Sequence, residues 1–319
     1  MRYLNENDMN NINIDWVQLI DYIKKAVLCI QQNDYSQPLK PYLRFGDPKN
    51  RIIAMPAFVG GEINASGIKW IASFPDNIHK GKKRANCVVI LNSVQTGEPI
   101  FSIDSGIVSA MRTAAVSGMI IEKYLQTDRM KNRQIKIGVI GLGPIGLMHI
   151  AMINQFLSSY NISLFVYDLN TAKKEIIDSN SSWVDTYESI VQNCDIVLTT
   201  TVSENRYINT KPKDGALLLN VSLRDYCDSM YQYIKGGIVV DDWEEVCREN
   251  TDIELFHKMN DLSKQDVIDI VEYMYGNWIE TIPAKQTIMV NPMGMAIFDI
   301  TSAKYIYQVA NDKSIGIEY

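Results

Sequence analysis

A glycine-rich turn carries the strongest chemical signal in this sequence. The apolar run IKIGVI at 135–140 leads directly into GLGPIG, which contains Gly141, Gly143 and Gly146, and a helical pattern starts at Leu147. In this spacing the first glycine permits a tight turn, the second lets the backbone approach a pyrophosphate, and the third lets a helix pack on the strand. Free N–H groups at the helix start attract phosphate oxygens. The pattern predicts a dinucleotide site.

An acidic residue at the end of the next strand-like run indicates which dinucleotide is bound. The run SLFVYD ends in Asp168, where a carboxylate can accept hydrogen bonds from the adenosine ribose hydroxyls. Asp168 would repel a 2′-phosphate, and neither Leu169 nor Asn170 supplies a cation in its place. We therefore expect NAD, and not NADP, as the cofactor.

Cations in the first third of the chain form a second candidate constellation, made of Lys40, Arg44, Lys69, Arg84 and Arg112. A cation in or beside an apolar run is costly to bury unless an anion accompanies it. Lys69 in GIKW fits a buried site and a solvent-facing strand position equally well. Arg112 in MRTAA has few polar neighbours in the sequence, and its guanidinium suits a carboxylate or a pyrophosphate. The alternative is an arginine that extends along the surface of a helix into solvent.

A carboxylate at the edge of the predicted parallel sheet is the third candidate. Asp225 follows the run ALLLNVS, at the carboxyl end of a strand where ligands of such sheets bind. An acid there could accept a proton from an amine or from water. A turn or helix-capping role is the simpler interpretation of the same position.

The bulk composition excludes several classes of protein. The net charge of -6 disfavours nucleic acid as a partner, because phosphate backbones are bound by clustered cations. The polar start of the chain, residues 1–13, resembles no signal peptide, and no apolar run approaches the ~20 residues of a membrane span. The five cysteines and three histidines are scattered without metal-ligand or disulfide spacing. We expect a cytoplasmic protein without a structural metal.

The pattern of elements predicts an α/β protein of two domains. Amphipathic helices are predicted over 15–32, 105–125 and 294–310, and short β-type runs between residues 37 and 102 indicate an antiparallel or mixed sheet. From residue 134 onward β-runs alternate with helices, including helices over 143–157 and 170–177, which predicts a Rossmann-type parallel sheet. The domains are placed at 119–292 for the Rossmann-type sheet and at 1–118 with 293–319 for an α+β domain.

Several segments together resemble one known family over nearly the whole chain. GIKW, MRTAA, GLGPIG with Asp168, NVSLRD, VVDDW and NPMGMAIFD are similar to the ornithine cyclodeaminase and mu-crystallin family. The resemblance implies a homodimer whose α+β domain binds an amino-acid substrate and dimerises. QPLKPYLR, RIIAMP and NPMGMAI most resemble the branch that oxidises N-(2-amino-2-carboxyethyl)-L-glutamate with NAD and hydrolyses it to 2-oxoglutarate and L-2,3-diaminopropionate for siderophore synthesis.

The resemblance also implies roles for individual residues. Lys69 and Asp225 match the catalytic lysine and aspartate, and Arg112 matches the arginine that binds the substrate carboxylate. The implied substrate contacts are Lys40, Arg44, Met55, Lys69, Arg84 and Arg112. The implied cofactor contacts are Arg112, Thr113, Gly141, Gly143, Pro144, Ile145, Gly146, Asp168, Thr201, Ser222, Leu223 and Asn291.

Two departures from the family pattern bear on the activity. Ornithine cyclodeaminases carry a glutamate two positions before the Met-Pro that is Met55-Pro56 here, and this chain has Ile53. The lysine that follows the family's catalytic aspartate is also missing after Asp225. The first departure disfavours a cyclodeaminase, which stays an alternative together with an alanine dehydrogenase, a ketimine reductase and a non-catalytic ligand-binding protein.

Overall fold

The chain divides into two compact units in the computed structural model, which describes residues 1–47, 49–131 and 133–319. The first unit comprises Met1–Ala115 and Met295–Tyr319, and the second comprises Val116–Gly294. Within the described ranges no helix is long and apolar enough to cross a membrane. The same ranges contain no group of three or more His, Cys, Asp or Glu side chains arranged to hold a metal ion.

The first unit is built on a mixed eight-stranded sheet. Its strands lie in the order Ile317–Glu318, Arg2–Leu4, Pro99–Asp104, Ala85–Asn92, Ala65–Ser73, Arg51–Val59 and Tyr35–Ser36, and Tyr42–Leu43 also pairs with Arg51–Val59. Only Arg2–Leu4 and Pro99–Asp104 run parallel among the described pairs. Because side chains alternate along a strand, Lys69 and Trp70 point to opposite faces.

Helices cover one face of this sheet. The helix Ala296–Asp312 contacts the strands Arg51–Val59, Ala65–Ser73 and Ala85–Asn92, and packs beside the helix Trp16–Gln31. The latter begins where Asp15 caps it by accepting the N–H of Gln18 at 3.0 Å. The remaining helical segments of this unit are Glu6–Asn10, the 3₁₀ turn Pro75–Lys80 and the start of Ile107–Leu125.

The second unit contains an entirely parallel eight-stranded sheet. Its order is Ser181–Trp183, Ile162–Tyr167, Ile135–Ile140, Ile196–Thr199, Leu217–Asn220, Ile288–Asn291, Ile238–Val240 and Ile268–Asp269. The helices are Pro144–Phe156, Tyr187–Asn193, Tyr231–Ile234, Trp243–Val246, Asp252–Asn260, Ile270–Tyr275 and Trp278–Thr281, with 3₁₀ turns at Asp128–Met130, Asp228–Met230 and Lys264–Asp266. The chain order reverses on either side of Ile135–Ile140, which confirms the predicted Rossmann-type α/β sheet.

One predicted α-helix is wrong. The segment predicted as a helix over 170–177 is a 3₁₀ turn, Thr171–Ile176, and Ile177 is already extended. The side chain of Asn170 accepts the N–H of Ala172 at 3.1 Å, which tightens the first turn.

Candidate functional site

The glycine turn of the second unit has the geometry that a pyrophosphate requires. Gly141 has φ +99°, and an added Cβ would lie 2.9 Å from the backbone of Thr200. At Gly146 an added Cβ would lie 2.0 Å from the carbonyl oxygen of Gly141, so only glycine lets the helix pack this closely. At Gly143 nothing lies within 4 Å of that position, which leaves open space above the turn.

The helix Pro144–Phe156 starts at this turn without a side-chain cap. Its N-cap is Gly143, which has no side chain to accept the first N–H groups. Pro144 occupies the first turn, where its missing N–H costs nothing, and Ile145 is 36% exposed. The uncapped N–H groups and the helix dipole favour an anion at this end. A phosphate fits here by position and by charge.

A cavity of about 490 Å³ lies beside the turn. Its lining includes Gly141, Gly143, Asp168, Thr201 and Tyr207, and its walls are otherwise largely apolar. A dinucleotide needs two features here: backbone N–H groups that bind its phosphates, and a carboxylate after the neighbouring strand that binds its ribose. The residues present therefore fit NAD.

Asp168 is held in place by three donors. Its Oδ2 accepts the N–H of Leu142 at 2.7 Å and the ammonium of Lys173 at 2.8 Å, and its Oδ1 accepts the N–H of Asn170 at 2.9 Å. Burial raises the pKa of Asp168, but the bond from Lys173 and the two backbone bonds outweigh it, so the pKa is lowered. Neither Leu169 nor Asn170 supplies a cation, as the sequence indicated, but the 3₁₀ turn brings the later Lys173 back to Asp168.

Asp225 is fully buried near this cavity's wall. Its Oδ1 accepts the hydroxyl of the cavity-lining Thr201 at 2.5 Å, and its Oδ2 accepts the hydroxyl of Ser222. Burial raises the pKa of Asp225, although the hydrogen bonds from Ser222 and Thr201 act in the opposite direction. A carboxylate with a raised pKa is suited to accept a proton near neutral pH.

A buried polar network fixes the backbone around Asp225. Asp252, which is fully buried, accepts the backbone N–H of Asp225 at 3.1 Å, the amide of Asn220 at 3.0 Å and the guanidinium of Arg206 at 2.6 Å. Leu223, which lies between Asn220 and Asp225 in the chain, has φ +65°. This conformation costs a non-glycine residue free energy and persists only where the surrounding structure imposes it. The network therefore acts as a brace for Asp225.

Asn291, an implied cofactor contact, is engaged inside the second unit. It is fully buried, donates to the carbonyls of Val239 at 3.3 Å and Met289 at 3.2 Å, and accepts the amide of Asn220 at 2.9 Å. Its described contacts brace the ends of neighbouring strands. Of the other implied contacts beyond the turn, the structure brings Thr201 and Ser222 together on Asp225.

The first unit contains a buried cluster of two cations around one carboxylate. Lys69 lies on the strand Ala65–Ser73, Arg112 on the helix Ile107–Leu125, and Asp299 in the first turn of the helix Ala296–Asp312. The Oδ1 atom of Asp299 lies 2.7 Å from Nζ of Lys69 and 2.9 Å from Nε of Arg112. The side chains are 1%, 13% and 0% exposed for Lys69, Arg112 and Asp299 respectively.

This cluster keeps one positive charge and unused bonding capacity. Arg112 and Asp299 form an ion pair, but within the described residues neither Nε of Arg112 nor either carboxylate oxygen of Asp299 has a hydrogen-bond partner, and no hydrogen bond from the protein is seen at the terminal nitrogens of Arg112. Burial lowers the pKa of Lys69, the charge of Asp299 opposes this, and the nearby Arg112 adds to the lowering. A carboxylate bound by Arg112 would neutralise the cluster, and Lys69 is suited to hold or release a proton.

The other implied substrate contacts lie on the same unit. Met55 is buried directly across the strand pair from Lys69. Lys40 is buried, Arg44 lies over the ring of Tyr42 at 5.4 Å, and Arg84 is partly buried. Burial, with a contribution from the charge of a neighbouring arginine, lowers the pKa of Arg84. Thr113, an implied cofactor contact, donates to the carbonyl of Ser109 within its own helix at 2.7 Å.

Sequence reasoning missed Asp299, Asp252 and Lys173. Asp299 stands alone in the apolar run MAIFDI, and a lone charge in such a run predicts a buried partner of opposite sign. Asp252 and Lys173 carry no comparable signal, since each has the local sequence of an ordinary helix or turn start.

This chain matches the model of one protein family and is similar to several named enzymes. The model of the ornithine cyclodeaminase/mu-crystallin family matches residues 4–314. The chain is 36% identical to N-((2S)-2-amino-2-carboxyethyl)-L-glutamate dehydrogenase of Staphylococcus aureus, over 99% of this chain and 97% of that protein. It is 25% identical to an alanine dehydrogenase of Archaeoglobus fulgidus, over 88% and 86%. The solved Delta(1)-pyrroline-2-carboxylate reductase of Thermococcus litoralis, in complex with NADH and L-proline, superposes with a TM-score of 0.88 at 21% identity, covering 100% of both chains.

Proposed function

Because this chain belongs to the ornithine cyclodeaminase/mu-crystallin family, we propose that it is an NAD-dependent dehydrogenase of N-(2-amino-2-carboxyethyl)-L-glutamate. Its products are 2-oxoglutarate and L-2,3-diaminopropionate, a precursor for siderophores or related metabolites. The 36% identical staphylococcal relative supports this substrate. The five cysteines are all free, which is compatible with the cytoplasm as the place of the reaction.

The observation that carries the proposal is the buried cluster of Lys69, Arg112 and Asp299. Its net positive charge and the unused guanidinium nitrogens of Arg112 suit one carboxylate, which the substrate carries on the carbon to be oxidised. Asp299 has already set the orientation of Arg112, so little side-chain freedom is lost when the carboxylate binds.

The reaction requires an electron acceptor, a proton acceptor and water. NAD bound at the glycine turn would supply the hydride acceptor. Loss of a hydride from the glutamate-derived carbon and of a proton from the bridging amine leaves a C=N bond. Water adds to that carbon, and cleavage of its bond to nitrogen gives the ketone of 2-oxoglutarate and the amine of diaminopropionate. Asp225 is the proposed proton acceptor, and Lys69 the group that holds or returns a proton.

A substrate comparison tests this function. Purified protein is supplied with NAD and the conjugate, and NADH, 2-oxoglutarate and 2,3-diaminopropionate are measured; we expect equal amounts of all three. Three parallel reactions test the alternatives: ornithine, scored by proline and ammonia without net NADH; pyruvate with ammonia and NADH; and a cyclic imine with NADH. A higher kcat/KM in any of these reactions than with the conjugate would overturn the substrate assignment.

We also propose that the protein is a homodimer joined through the sheet face that the helices leave uncovered. On this face the central strands carry apolar side chains that are only partly buried, in the cross-strand rows Pro56, Ile68, Ile90 and Ala54, Trp70, Val88. An antiparallel sheet that faces water on one side carries polar residues there. A second copy of the same face would cover these rows by two-fold symmetry.

The oligomeric state tests this surface. Trp70 is 44% exposed, so Trp70→Glu changes the proposed interface without opening the core of the unit. We expect the wild type to sediment as a dimer and the variant as a monomer or a much weaker dimer. Val17→Glu is the matched control, because Val17 is 65% exposed on a helix away from this face. A monomeric wild type would refute the interface.

A further inference from the structure

The carboxylate expected to select NAD is paired with a cation. Lys173 places its ammonium 2.8 Å from Oδ2 of Asp168, the oxygen that also accepts the N–H of Leu142. The two side chains are 29% and 12% exposed, and both line the cavity beside the glycine turn. That part of the wall therefore carries one negative and one positive charge, and not the isolated negative charge that the sequence suggested.

The position of Lys173 follows from the local backbone. Asn170 caps the 3₁₀ turn Thr171–Ile176 by accepting the N–H of Ala172, and the turn brings the third residue back over the end of the strand Ile162–Tyr167. Asp168 has a second oxygen, Oδ1, which accepts the N–H of Asn170 and has a further lone pair. The carboxylate can accept a ribose hydroxyl there without releasing Lys173.

A 2′-phosphate meets different conditions at this pair than at a lone aspartate. Repulsion between the phosphate and Asp168 excludes NADP where no cation is near. A lysine ammonium is a point charge on a flexible four-carbon stem, so Lys173 can turn from Asp168 to a phosphate placed beside it. The cation then offsets the repulsion and contributes a charge-assisted hydrogen bond to the phosphate.

We propose that Lys173 makes this site tolerant of a 2′-phosphorylated dinucleotide, so that NADP binds here as well as NAD. The proposal rests on the proposed dinucleotide site. It assigns Lys173 as a specificity-determining residue that acts on the adenosine ribose end of the cofactor.

Direct binding measures the effect without catalysis. NAD and NADP are each titrated calorimetrically into the wild type, into Lys173→Gln and into the matched control Lys174→Gln, at one fixed salt concentration. Lys174 lies on the same 3₁₀ turn but pairs with Asp185 at 3.5 Å and with the ring of Trp183. We expect a wild-type Kd for NADP within about tenfold of that for NAD. Lys173→Gln should weaken NADP about tenfold or more, the loss of one charge-assisted hydrogen bond, and NAD less than about threefold.

The possible results separate this inference from the proposed function. NAD binding with NADP more than about a hundredfold weaker in the wild type would overturn the inference alone, as would equal losses for both dinucleotides in Lys173→Gln. Binding of neither dinucleotide would overturn both proposals. Binding of both, with the loss confined to NADP in Lys173→Gln, supports the inference even where the conjugate gives no NADH.

Discussion

Replacing Asp299 with asparagine tests the electrostatic account of the buried cluster. The substitution keeps the shape of the side chain but removes the negative charge that lies between Lys69 and Arg112, whose side chains are 1% and 13% exposed. Removing one partner of a buried ion pair costs about 3–5 kcal/mol, because the remaining charge is left without compensation. For a chain of 319 residues the entropy of unfolding is about 0.7 kcal/mol per degree, so we expect Tm to fall by about 5–7 °C.

The loss should depend on pH with a defined sign. Burial already lowers the pKa of Lys69 below its ordinary 10.5, and the charge of Asp299 opposes that shift. Without Asp299 the pKa falls further. A lysine whose folded-state pKa lies below the unfolded value binds fewer protons when folded, so stability rises with pH. The deficit of the variant is therefore largest while Lys69 is protonated, and it shrinks as pH rises through the lowered pKa of Lys69.

Thermal and denaturant unfolding across neutral to alkaline pH measure both effects. Asp312→Asn is the matched control, because Asp312 ends the same helix as Asp299 and is exposed. An Asp299→Asn protein that melts within about 2 °C of the control, the range of surface substitutions, would refute the cluster as described. A large loss of stability that does not change with pH would be consistent with a packing role of Asp299 and would exclude its electrostatic coupling to Lys69.

Four further substitutions probe the site. Lys69→Met keeps the length of the side chain without its charge. We expect the variant to lose turnover, while its affinity for NAD, measured by calorimetry, stays unchanged. A near-normal kcat would exclude Lys69 from the chemistry. Asp225→Asn should lower kcat/KM about 10²–10⁴-fold. Because burial raises the pKa of Asp225, the activity of the wild type should fall as the pH drops through that raised pKa. A wild-type pH profile without this loss of activity at low pH would contradict the assignment. In Gly143→Ala the added Cβ has no protein atom within 4 Å, so the variant should bind NAD much more weakly with little change in Tm. In Gly146→Ala the added Cβ lies 2.0 Å from a carbonyl oxygen, so Tm itself should fall. Equal melting temperatures for the two variants would be inconsistent with this geometry.

The local chemistry of the chain could be predicted from its sequence. The turn at Gly141 depends on a positive φ and on close approaches that only glycine permits, so residue type indicates it directly. The strand that leads to Asp168 follows from its apolar run. The parallel sheet follows from the alternation of strands and helices. In each case the information lies within a few residues of the feature that it determines.

Tertiary structure alone decided which polar residues meet. Because side chains alternate along a strand, Lys69 and Trp70 point to opposite faces of the sheet. Which face is covered depends on where the helix Ala296–Asp312 packs, so the sequence did not predict whether Lys69 or Trp70 is buried. Asp299 became its partner only through that packing. The pair of Lys173 and Asp168 is the exception, because a local 3₁₀ turn that the apolar pattern did not distinguish from an α-helix brings the two residues together. Spacing along the chain fixes local conformation, whereas the charge of a site is summed over atoms that only the folded chain brings within a few ångströms of one another.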